Sequence, residues 1–325
     1  MLLTKIASDA KIFITPIKEI DMRKYSHVIV IGVDGAGAFI KEAETPCFDK
    51  IFQNGAKTFD ALASNPTISA ECWGSVLLGV GPEVHKLTNG IVSNNPYPTD
   101  SVYPSVFRRI REVYPNAVLG SYCDWNPITY GIVENNIGVS HDTAKDFELT
   151  PGICDYIRES RPDFLFVQFD SVDGAGHRKG YGTPEHLESI TKADKLIGNI
   201  YDTAQETLNM DETLFMVIAD HGGANNENGG GTHGGWTDTE KYVTFAAVGK
   251  NVKNGDIGNM NIRDLAAIVL YAFGMEFPEF NESGWTAQIP EGLFDDPSLP
   301  QYKDISHLTG AAPRISKVPH TSELL

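Results

Sequence analysis

Apolar, largely β-branched runs of strand length recur along the chain: His27–Val33 (HVIVIGV), Ala117–Tyr122 (AVLGSY), Asp163–Phe169 (DFLFVQF), Thr213–Ala219 (TLFMVIA) and Tyr242–Gly249 (YVTFAAVG). Several are apolar at consecutive rather than alternate positions, the pattern of a strand covered on both faces. Helix-like segments separate them. The clearest spans Pro184 to Leu208, with Thr183 as N-cap and Pro184 at the first helical position. Another, IRDLAAIVLYAFG, closes at Gly274. Alternation of this kind predicts an α/β fold, a three-layer α/β/α arrangement with a mainly parallel central sheet.

The rhythm weakens between about His85 and Asp146, which is richer in Asn, Pro and Tyr and reads as a small cap inserted over the sheet at about 85–146. Gly222–Gly235 (GGANNENGGGTHGG) is too polar and glycine-rich for core and reads as a loop, yet it carries a histidine. Beyond Pro290 the chain has repeated prolines and little periodicity, as expected of a tail wrapped on the surface.

At 325 residues, with 41% hydrophobic and 21% charged positions, the chain has the composition of a globular protein, read as one domain over 1–325. Its net charge of −17 repels polyanions, which argues against a nucleic-acid polymer or an acidic membrane surface as partner. Lys5, Asp9 and Lys11 interrupt the stretch that would form the apolar part of a signal peptide, so the expected location is cytoplasmic. Cys47, Cys72, Cys123 and Cys154 show no Cys-x-x-Cys spacing and read as reduced thiols.

Three predicted strands run straight into aspartates: Val33 into Asp34, Phe169 into Asp170 and Asp173, and Ala219 into Asp220. Ligands of open α/β sheets bind outside the carboxyl ends of the strands, so this shared placement selects the aspartates as a group. His221 adjoins Asp220, His177 follows Asp173 by four residues, and His233 lies in the glycine-rich loop. Imidazole with carboxylate is a ligand set for zinc or a neighbouring metal, and Asp34, Asp173, His177, Asp220, His221 and His233 are enough for two ions. Two divalent cations against three carboxylates leave a local surplus of positive charge, opposite to the global sign and suited to a phosphate ester. The other histidines, His27, His85, His141, His186, His307 and His320, read as surface or satisfied core residues.

A hydroxyl nucleophile is available in SNPTISAECWGS, where an extended stretch turns into a helix near Ala70. Ser69 falls at that helix's N-terminus, where free N–H groups favour an anion, and Thr67 is the rival. Gly32, Gly35 and Gly37 follow G-x-x-G-x-G, not the dinucleotide fingerprint, so a Rossmann cofactor is not expected.

The ordered series VIVIGVDGAG, NPTISAECWGSVLLGVGPEVHKLTNG, FDSVDGAGH, IADHGG, GTHGG and IRDLAAIVLYAFG resembles the alkaline phosphatase superfamily, within it the type I phosphodiesterase and nucleotide pyrophosphatase branch, over Val28 to Phe294. The resemblance implies one metal position held by Asp173, His177 and His233 and a second held by Asp34, Asp220, His221 and the Ser69 oxygen. It implies two ions, zinc with manganese as the alternative, and a nucleophile at Ser69, with Thr67 second. Asn89, in KLTNG, is the nearest candidate for the family asparagine that helps hold a phosphate oxygen. Ala70 and Glu71 depart from the pattern, standing where an aromatic residue and a proline follow the nucleophile in typical nucleotide pyrophosphatases, so the aromatic stacking platform for a nucleobase is not expected from these two positions.

The implied activity is phosphate-ester hydrolysis through a phosphoseryl intermediate, as a phosphodiesterase acting on a small ester, a nucleotide among the candidates. Phosphomonoesterase, phosphonate hydrolase and phosphomutase remain open on the same ligand set, as does a metal-stabilised binding protein. Oligomeric state has no signature here. A sulfatase would need a C/S-x-P-x-R string, and Ser69 is followed by Ala-Glu-Cys-Trp.

Overall fold

The computed structural model describes residues 22–279 and 284–303. Among the described residues ten strands form, in chain order: β1 (His27–Val33), β2 (Ala56–Leu62), β3 (Leu119–Cys123), β4 (Val139–Asp142), β5 (Phe164–Phe169), β6 (Thr213–Ala219), β7 (Ala224–Asn225), β8 (Gly231–Thr232), β9 (Tyr242–Val248) and β10 (Gly255–Asp256). Eight of them make one sheet in the order β10-β2-β9-β6-β1-β5-β3-β4. Pairing is parallel except along β9, which runs against both β6 and β2. The carboxyl ends of β1, β5 and β6 therefore share one edge of the sheet.

Strand alternation defines the layers. At Gly32 a Cβ would strike the Trp73 ring of the Ser69–Leu78 helix, so this face of β1 meets that helix. The next residue, Val33, lines a small cavity with Ile190, Ala193 and Ile197 of the Pro184–Thr207 helix on the opposite face. The Pro46–Ile51, Asp146–Ser160, Ser171–Lys179 and Pro184–Thr207 helices pack together on the second face, while the Val106–Val113 and Asp264–Ala272 helices join Ser69–Leu78 on the first. The three-layer α/β/α prediction with a mainly parallel sheet holds. β1, β5 and β6 are buried along nearly their whole length, which is why they lack alternation in sequence.

Some local expectations shift. Within 85–146, β3 and β4 are strands of the main sheet, so this stretch does not lie wholly above it as a cap. β4 is an exposed edge strand, VSHD, with too little apolar content to announce itself. The Asp146–Ser160 helix contains Pro151, which disguised it. The loop at 222–235 contains a two-residue antiparallel pairing of β7 with β8. Thr183 caps Pro184–Thr207 as expected, its hydroxyl accepting the His186 N–H. All four cysteines are free. No helix among the described residues is long and apolar enough to cross a membrane. The signal-peptide reading at Lys5, Asp9 and Lys11, and the readings of His307 and His320, lie outside the described residues.

Candidate metal centre and nucleophile

Asp34 leaves the end of β1 fully buried, its Oδ2 accepting from Trp73 Nε1 at 2.8 Å and Gln168 Nε2 at 3.1 Å. Asp220 leaves β6 equally buried, its Oδ1 accepting the N–H groups of Gly35 at 3.1 Å and His221 at 2.8 Å. The remaining oxygens, Asp34 Oδ1 and Asp220 Oδ2, are buried without a hydrogen-bond donor. They stand 3.4 and 3.3 Å from His221 Nε2. His221 Nδ1 faces the carbonyl of Gly222 at 2.9 Å, and a carbonyl only accepts, so Nδ1 carries the proton and Nε2 presents a lone pair. Two carboxylate oxygens and one imidazole lone pair thus converge with no donor between them, except that the Ser69 hydroxyl stands 3.3 Å from the same Nε2. Orphaned buried acceptors are costly unless a cation joins them.

The second group has the same construction. His177 Nδ1 donates to Gly231 O at 3.1 Å and His233 Nδ1 to Thr67 O at 2.7 Å, so both Nε2 atoms turn inward, 3.2 Å apart. His177 Nε2 is 3.1 Å from Asp173 Oδ2, and His233 Nε2 is 3.8 Å from Asp173 Oδ1. The His221 and His233 rings stack with centroids 4.0 Å apart, so the two groups adjoin. Ligand atoms of Asp34, Asp220 and His221, and of Asp173, His221 and His233, lie within 4.8 Å of one another. Thus the six predicted ligands come together in two sets, His221 lying between them and His177 closing the second from the rim.

Electrostatics follow from this crowding. Burial, then the charges of Asp220, Asp173 and Asp170, push the Asp34 carboxyl well above its usual range, and burial with the Asp173 charge does the same to Asp220. At Asp173 burial opposes ionisation, but the His177 hydrogen bond, the His221 and His233 charges and the Tyr181 hydroxyl outweigh it and hold the carboxyl below the usual range. His177 rises to about 9 through its bond to Asp173, whereas burial lowers His221 and His233. His221 and His233, kept neutral by burial and oriented through Nδ1, together with the orphaned carboxylate oxygens, are the donor set of a divalent first-row ion, and His177 can join them by giving up its Nε2 proton, so the residues present fit the expected metals.

Thr67 and Ser69 separate clearly. Thr67 is fully buried; its hydroxyl donates to Gly235 O and accepts Gly234 N–H, both at 2.9 Å, pinning the loop that carries His233. Ser69 opens the Ser69–Leu78 helix after extended Ile68, at the centre. Asn89 Oδ1 accepts the Ala70 N–H at 2.9 Å, which sets its amide beside the same helix end.

Several supporting residues carried no sequence signal. Tyr181 donates to Asp173 Oδ1 at 2.6 Å. Its ring lies where a Cβ on Gly176, Gly223 or Gly231 would intrude, which accounts for three glycines around the site. Asp146 accepts the N–H groups of Asp170 and Ser171 at 2.9 and 3.1 Å and so anchors the helix bearing Asp173 and His177. Gly35, at φ +69°, brings the turn after β1 against Asp173, where a side chain would overlap it.

An α/β/α sheet with paired carboxylate–imidazole groups at its carboxyl edge is the architecture the sequence resemblance implied. The family model described as type I phosphodiesterase / nucleotide pyrophosphatase matches residues 129–270. Murine ectonucleotide pyrophosphatase / phosphodiesterase 5, in an inactive form in complex with AMP, superposes with a TM-score of 0.64 at 15% identity, covering 80% of this chain and 98% of that one. A protein in the alkaline phosphatase superfamily from Vibrio parahaemolyticus superposes at 0.56 with 15% identity, covering 80% and 72%. Among curated proteins, GPI ethanolamine phosphate transferase 3 of Schizosaccharomyces pombe is 30% identical over 86 residues, 26% of this chain and 9% of the relative. GPI ethanolamine phosphate transferase 2 of Aspergillus fumigatus is 22% identical over 230 residues, 68% and 30%. The chain matches less than a third of the length of either relative.

Proposed function

We propose that the protein is a binuclear metal-dependent hydrolase of small phosphate esters, a phosphodiesterase with Ser69 as nucleophile. The observation that carries this reading is the Ser69 hydroxyl, held at a helix N-terminus 3.3 Å from His221 Nε2 and beside orphaned oxygens of Asp34 and Asp220. Ser69 gives up its hydroxyl proton and its Oγ forms a bond to phosphorus as the ester's leaving oxygen departs on the opposite side and takes up a proton as the alcohol, giving a phosphoseryl enzyme. Water then breaks the Ser69–phosphorus bond and restores the hydroxyl. N–H groups at the start of the Ser69–Leu78 helix face the transferring anion, and the Asn89 amide, its oxygen engaged by Ala70, has its NH₂ group to give a phosphate oxygen. Two divalent ions, zinc or manganese, would when bound stabilise charge on the phosphoryl group and lower the pKa of a coordinated hydroxyl. The AMP complex of the murine neighbour supports a nucleotide-like ester as substrate.

A second reading rests on the curated relatives, which are ethanolamine phosphate transferases. In it the same phosphoseryl enzyme hands its group to an alcohol instead of water. Chelated protein reloaded with Zn²⁺ or Mn²⁺ is assayed on bis-p-nitrophenyl phosphate and p-nitrophenyl phosphate, with and without added alcohols. Diester preference and release to water support the phosphodiesterase; monoester preference selects a phosphomonoesterase; a phosphorylated alcohol as main product selects the transferase. Absence of turnover with metal bound argues for a binding protein, a phosphonate hydrolase or a mutase.

A further inference from the structure

Gln168 lies in β5 with no solvent exposure and joins three strand ends through one amide. Its Oε1 accepts the Trp125 N–H at 2.8 Å, just after β3. Its Nε2 donates to Asp34 Oδ2 at 3.1 Å and Asp170 Oδ1 at 3.3 Å. A backbone N–H cannot accept, so the amide orientation is fixed: oxygen toward Trp125, nitrogen toward both carboxylates. With Trp73 Nε1 as the other donor, Asp34 has two donors on one oxygen and none on the other. That asymmetry turns Oδ1 toward His221 Nε2. An amide donor also holds two neighbouring carboxylates together without adding charge, in a pocket where the Asp170 charge already raises the cost of ionising Asp34.

From this placement we infer that Gln168 is a positioning residue for the Asp34–Asp220–His221 centre, fixing Asp34 as a ligand through a single oxygen and tying that ligand to the loop after β3. The inference rests on the metal-dependent reading above. It differs from a packing role in what it selects: Gln168 bonds the ligand Asp34 directly and reaches the Asp173–His177–His233 set only through Asp170, at the start of the helix bearing Asp173 and His177, so the Asp34 centre is the one that depends on it most.

The test is Zn²⁺ titration calorimetry on the chelated full chain, with Co²⁺ absorption spectra, for the native protein, Gln168→Met and Gln168→Leu. Outer-sphere partners of metal ligands are worth about 10–100-fold in affinity. Either variant that keeps the native circular dichroism spectrum is expected to bind one ion about 10–100-fold more weakly and the other within about threefold, with altered Co²⁺ bands from the weakened centre. Equal weakening of both ions, or native affinity at both, overturns the assignment, as does loss of fold in both variants, which would make Gln168 scaffold alone. A native protein that binds no Zn²⁺ overturns the functional reading itself and is distinguished by the native titration.

Discussion

Ser69 Oγ stands 3.3 Å from His221 Nε2, while Thr67, two residues earlier, has its hydroxyl engaged on both sides by Gly234 and Gly235. One oxygen is free to react and the other closes a loop. Ser69→Ala is therefore expected to lower kcat by at least about 1,000-fold with metal still bound. Thr67→Val should retain kcat within about tenfold and lose roughly 1 kcal/mol of stability per missing hydrogen bond. Steady-state assays with metal analysis of each variant check this, and full turnover by Ser69→Ala would reassign the nucleophile.

Metal removal should be visible without any substrate. Asp34 Oδ1 and Asp220 Oδ2 are buried without a donor, and a cation bound there favours the folded state over the unfolded one. At a free-ion concentration a hundredfold above Kd the stabilisation is about 2.7 kcal/mol per site. Chelation should lower the denaturant midpoint, and added Zn²⁺ should restore it in a concentration-dependent way. A midpoint indifferent to chelator and to Zn²⁺ would exclude a cation at these oxygens.

How much of this was legible in the sequence depends on range. The buried strands declared themselves because β1, β5 and β6 are apolar at consecutive positions, and the aspartates at their ends followed at once. β4 did not, because an exposed edge strand needs no apolar pattern, and Asp146–Ser160 did not, because Pro151 masks the helical period. The candidate ligands were readable as residue types near strand ends. Gln168 was not, since its meaning comes from a contact 134 residues away, to Asp34, and neither were Asp146 and Tyr181, whose bonds to Asp170 and Asp173 span only 24 and 8 residues but follow no period of helix or strand.

The glycines around Tyr181 give a packing prediction. A Cβ on Gly223 would fall inside the Tyr181 ring, and Gly223 has no left-handed φ, so the clash is the whole effect. Gly223→Ala is expected to cost about 1–3 kcal/mol as overpacking. In a Tyr181→Ala background the ring is gone and the same substitution should cost under about 0.5 kcal/mol, a coupling that urea denaturation of the four proteins in the cycle measures. Equal costs in both backgrounds would show that Tyr181 is not what excludes the side chain.

His85, which is not among the candidate metal ligands, is expected to contribute a separate response to acid. Its Nδ1 accepts the Leu87 N–H at 3.0 Å, and its Nε2 faces Ser75 Oγ at 3.3 Å and Glu71 O at 3.2 Å, so the buried ring is satisfied as the neutral Nε2–H tautomer. Burial, reinforced by the charges of Arg263 and Lys86 and opposed by the Glu71 carbonyl, lowers its pKa from 6.5 to about 3. The folded value lies below the unfolded one, so the unfolded chain takes up a proton first as pH falls. His85 therefore contributes no penalty above pH 6.5, and stability is lost between about pH 6.5 and 3, by up to about 5 kcal/mol at 1.36 kcal/mol per unit. His85→Gln keeps polar atoms in the pocket but cannot titrate. Its stability should fall less steeply than that of the native protein between pH 6.5 and 4 in urea melts, although it starts lower at neutral pH through imperfect packing. Parallel stability–pH curves for the two proteins would show that this histidine is not the group that charges on acid unfolding.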